Sequence, residues 1–77
     1  MKPIIPQREL STLSRTVALA LAMAESGYEE DGYAHLLEGR HRVRKLRDDG
    51  ELWGDDLLAS YAVTLNDFAE RFNVARE

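Results

Sequence analysis

Among its 77 residues the chain has no cysteine, which excludes disulfides and every thiolate-based metal or redox site. Its two prolines, Pro3 and Pro6, both stand at the front, so none interrupts a helix in the body of the chain. The two histidines, His35 and His41, are six positions apart and point to different faces of any helix that carries both. They offer little to a metal. Long hydrophobic runs are missing too. The eight residues "VALALAMA", Val17 to Ala24, fall far short of the ~20 that span a bilayer. No segment alternates apolar and polar residues, and β-branched residues are few, so strands are not expected.

The chemical motifs are equally sparse. There is no glycine-rich phosphate loop, dinucleotide fingerprint or nucleophile elbow. The acidic stretches "EEDG" (Glu29–Gly32) and "DDGELWGDD" (Asp48–Asp56) do not fit the spacing of a calcium loop and read as solvated caps and turns. No catalytic residue, cofactor site or metal site is expected. A short helical chain also offers little concavity for a substrate. The sequence reads as that of a non-enzyme.

At 44% hydrophobic and 31% charged residues, the composition is that of a folded domain. The expectation is one helical domain over 1–77, near the size at which burial barely outweighs chain entropy. Glycines at 27, 32, 39, 50 and 54 punctuate the chain. They divide it into an extended lead (1–5) and helices over about 6–26, 32–49 and 52–73. Leu10, Leu13, Val17, Ala20, Leu21 and Ala24 share one face of the first helix. Pro6 and Ser11 both suit its start, and Gly27 suits its end. Leu36, Gly39, Val43 and Leu46 form the seam of the second, where a glycine lets a neighbouring helix come close. Leu58, Tyr61, Leu65, Phe68 and Phe72 form the stripe of the third, widened by Leu57 and Trp53. The fold class is all-α, an antiparallel three-helix bundle with short connections. Glu38–Arg42 and Asp67–Arg71 have the spacing and orientation of favourable helical ion pairs.

The formal charge is −4, unevenly spread. "RHRVRKLR", Arg40 to Arg47, contributes +5, so the other 69 residues carry −9. On a helical wheel Arg40, Arg44 and Arg47 lie within about 80° of Leu36, inside a partly apolar arc. Arginines placed there snorkel over the core edge, pair with acids of another helix, or form a ledge for an acidic ligand. Glu25, Asp67 and Glu70 are the available acids. Arg40, nearest the middle of its helix, is expected to be structural, and Arg44 and Arg47 accessible. An acidic protein partner follows from the ledge reading. Nucleic acid is the alternative, but the acidic remainder would repel phosphate and no aromatics interleave the arginines.

The apolar run of the first helix raises a question of cover. Leu13, Val17, Leu21 and Ala24 can face the other helices, while Leu19 and Met23 form a second strip beside Ala22. Two helices do not readily cover both strips, so a homodimer through this alanine-rich helix is expected. Lys2, Arg8 and Arg15 before the run and "AMA" at its end imitate a signal peptide. Glu9 and the two prolines argue against one, which leaves a cytoplasmic location as the expectation. The functional expectation is a non-catalytic protein–protein interaction or self-association module. Its candidate contact residues are Arg40, Arg44, Arg47, Leu19 and Met23.

Overall fold

The computed structural model describes residues 4–76, so the first three residues of the expected lead lie outside it. Three helices follow one another: α1 (Gln7–Glu25), α2 (Glu29–Asp48) and α3 (Gly54–Phe72), with no strand among the described residues. The all-α expectation holds.

Local chemistry sets each boundary. Of the two candidate starts for α1, the chain uses Pro6. Its backbone is extended at φ −57° and ψ 141°, and its carbonyl accepts from the amides of Glu9 (2.9 Å) and Leu10 (3.2 Å). Ser11 lies one turn inside. All three helices end alike. Beyond α1, Tyr28 N–H donates to the Met23 carbonyl at 2.8 Å, while Gly27 turns back at φ +94°. Beyond α2, Glu51 N–H donates to Leu46 at 3.1 Å across Gly50 at φ +105°. Beyond α3, Val74 N–H donates to Ala69 at 3.0 Å across Asn73 at φ +54°. This six-to-one closure needs a left-handed residue at its corner, which glycine and asparagine supply at least cost.

Helix α2 begins at Glu29 rather than near Gly32, and α3 at Gly54 rather than near Leu52. The acids Glu29, Glu30 and Asp31 occupy the first turn of α2, where negative charge offsets the unpaired amides. Gly32 is therefore not punctuation. A Cβ there would sit 2.6 Å from the Ala20 carbonyl oxygen and 2.9 Å from the Phe68 ring. Its absence lets α2 lie against the alanine positions of α1. Gly39 behaves as its place in the seam suggests, since a Cβ there would meet the Tyr61 ring and hydroxyl at 2.7–3.0 Å.

Helix α2 packs closely against both α1 and α3, which touch each other far less. The core has two parts. One joins Ala20 and Ala24 of α1, Tyr33 and Leu36 of α2, and Leu65, Phe68 and Ala69 of α3. The other joins Val43, Trp53, Leu57 and Tyr61, flanked by Ile5, Leu13, Leu46 and Leu58. Leu57, not Leu58, is the fully buried one of that pair. Tyr61, Leu65 and Phe68 are buried as their spacing predicts, while at the front of α3 Trp53 and Leu57 take the inward place and leave Leu58 at the edge.

Candidate functional site

The arginine row does not divide simply by position along the helix, because Arg47, expected to be accessible, is half-buried and paired with two acids. Arg40 is half-buried, and its Nε is out of contact with solvent. Arg44 is exposed. Arg47 is tethered at the junction of two helices, where its guanidinium meets Asp48 of α2 at 2.9 Å and Asp55 of α3 at 3.5 Å. These acids hold the Arg47 guanidinium protonated beyond the ordinary arginine range, Asp48 through its hydrogen bond more than Asp55. Two of the acids expected to meet the row serve other arginines: Glu25 lies 4.0 Å from Arg71, and Glu70 lies 3.2 Å from Arg76. Leu37, Glu38, Arg40, His41 and Arg44 together line an open hollow of about 330 Å³.

The strip on α1 faces away from the core. Leu19 is 51% exposed, Ala18 and Ala22 are exposed, and Met23 is half-buried. Val17 and Leu21 turn to the other flank. With Thr64, Asp67, Phe68 and Arg71 of α3 they line a second hollow of about 250 Å³. Only Ala20 and Ala24 of the eight apolar residues from Val17 to Ala24 are buried. The small alanines are what α2 needs for close approach, which leaves the larger side chains on the flanks.

A polar cluster inside the bundle was not foreseen. Glu9 is 6% exposed, and both its oxygens accept from the two terminal nitrogens of Arg42. The expected Glu38–Arg42 pair is thus replaced by one that ties α1 to α2. In the same way Arg71 reaches Glu25 and lies 4.9 Å over the Phe72 ring. The hydrogen bond to Glu9 raises the Arg42 pKa, partly offset by burial. Tyr61 is 1% exposed, and burial pushes its phenol above the ordinary tyrosine value. The Thr16 side chain and the Arg42 charge act the other way. A signal for Glu9 was present: it stands four, seven and eleven residues before Leu13, Thr16 and Ala20, on the inward face of α1.

His35 and His41 stand on α2, the first half-buried and the second exposed. Among the described residues no group of three or more histidines and acids could hold a metal, and no helix is long and apolar enough to cross a membrane. No protein-family model matches the chain, and no curated protein or solved structure is significantly similar to it.

Proposed function

We propose that this chain is a small non-catalytic helical module for protein–protein interaction and self-association, built as an antiparallel up-down-up bundle. The helix directions are supported by where residues meet. Glu9 at the front of α1 pairs with Arg42 far along α2, and Ala20 meets Gly32 near its start. The observation that carries the functional reading is the uncovered part of α1. Ala18, Leu19 and Ala22 face solvent, with Met23 half-covered beside them, and the small residues permit another backbone to approach. A second copy of α1 against this strip forms a homodimer with two-fold symmetry. It also adds burial to a chain whose own core is small. The accessible Arg44 and the hollow beside it favour an acidic protein surface as their counterpart, with Arg40 and Arg47 bracing them.

Sedimentation at micromolar concentration tests the dimer. The wild-type chain is expected at about twice 8.7 kDa or above, with a melting temperature that rises with concentration. Leu19→Glu with Met23→Glu is expected to remove this contact while the far-ultraviolet spectrum stays helical. A wild-type monomer with a concentration-independent melting temperature contradicts the reading. Salt-sensitive retention on DNA or RNA, lost in Arg44→Ala, would favour nucleic acid instead.

A further inference from the structure

Two hollows share Leu37 as their common wall on α2. The first, about 260 Å³, is lined by Glu30, Tyr33, Ala34 and Leu37 with Val74 and Ala75 of the tail beyond α3. The second is the basic hollow that includes His41 and Arg44. Together they make a furrow with an acid at one end, an apolar middle and a base at the other. Glu30, Leu37 and Arg44 are spaced seven apart, two helical turns, and so lie along one stripe. Glu30 and Arg44 are exposed, and Leu37 is half-buried.

This stripe is complementary to itself when reversed. An antiparallel copy laid along it puts Leu37 on Leu37 and sets Glu30 of each copy opposite Arg44 of the other. A parallel copy would set like charges together. We propose that a second copy of this chain occupies the furrow through a two-fold contact of α2 on α2, centred on Leu37 and separate from the α1 strip. The apolar middle supplies the area removed from water. The two charge pairs, exposed at the rim, set orientation and register more than strength. The contact stands whether or not α1 associates. Where both contacts form, the assembly exceeds a dimer, because each chain then has two different neighbours.

The absence of cysteine makes the test specific, because Leu37→Cys introduces the chain's one thiol at the symmetry axis. Oxidation of this variant with diamide is expected to give a covalent dimer about tenfold faster than Ser60→Cys, an exposed site on α3 that meets only by collision. Adding Glu30→Arg or Arg44→Glu to Leu37→Cys places like charges at both ends, and is expected to slow cross-linking about fivefold or more. Mixing those two variants restores opposite charges at both ends and is expected to restore the rate. Restoration in trans separates a designed contact from loss of fold. Cross-linking of Leu37→Cys no faster than that of Ser60→Cys, or a mixture no faster than its components, overturns the proposal. Loss of the cross-link in Leu19→Glu/Met23→Glu that remains helical would assign the association to α1 and also overturn it. Cross-linking that persists in that variant supports the α2 contact independently of the α1 dimer.

Discussion

Glu9 and Arg42 are bound to each other but not equally exposed to water. The Glu9 side chain is 8% exposed and that of Arg42 is 44% exposed, so the two truncations should differ. Arg42→Ala leaves the buried carboxylate only the solvent-exposed Arg8, 3.8 Å away, and is expected to cost about 2–3 kcal/mol. Glu9→Ala leaves a guanidinium that can turn to solvent, and is expected to cost about 1 kcal/mol beyond its lost packing. Chemical denaturation of both variants checks the order, and a larger loss in Glu9→Ala would contradict it. Tyr61 adds a pH dependence of known sign. Its pKa is raised on folding, chiefly by desolvation. The unfolded chain therefore loses this proton first, and the contribution to stability is full below the ordinary value of 10.0 and lost as pH climbs through the folded value. The melting temperature is expected to fall above about pH 10, and Tyr61→Phe to flatten that fall. Equal slopes in the two proteins would show that Tyr61 is not the group responsible.

At the scale of the helices, two glycines do different work, and the same substitution separates them. At Gly27 the surrounding space is empty and the backbone is at φ +94°. Gly27→Ala therefore carries a purely conformational cost of about 1–2 kcal/mol. At Gly32 the backbone is helical, and alanine would gain about 1 kcal/mol of helix propensity. The new Cβ, however, would press on the Ala20 carbonyl oxygen at 2.6 Å, a backbone atom that moves only if α1 moves. Gly32→Ala is expected to cost about 2 kcal/mol net, by thermal or urea unfolding. A neutral Gly32→Ala would mean that α1 shifts away freely. Both residues look like punctuation in the sequence. Gly27 is punctuation, whereas Gly32 is a contact, and only the position of α1 tells them apart. Gly39 was readable because it interrupts a seam of apolar residues, and a seam glycine has few reasons other than a neighbour's side chain.

For the molecule as a whole, the 41 × 22 × 18 Å shape follows from three helices of nearly equal length with α2 shared between the others. Sharing one central helix leaves the Leu19 strip of α1 and the outer stripe of α2 facing water, and these are the surfaces proposed for association. A module of this kind should gain stability with concentration, since any contact made only by the folded chain shifts the folding equilibrium. Melting at two concentrations tenfold apart is expected to show that rise, and it should diminish in Leu19→Glu/Met23→Glu.

Periodicity and capping chemistry, which depend on residues within about two turns of each other, made the helix number legible, along with the ends at Gly27, Gly50 and Asn73 and most of the buried faces. The all-α class followed from these local rules. Contacts across helices were decided elsewhere. That Arg42 chooses Glu9 over Glu38, that Arg71 reaches Glu25, and that Arg47 closes on Asp55 depends on which helix faces lie opposite each other once Gly32 has let α2 settle against Ala20. A charge has several partners at comparable sequence distance, each worth little by itself. Packing of the apolar faces picks among them. The sequence of α1 shows more apolar surface than a three-helix chain can cover, and the tertiary structure decides which of it is left facing water.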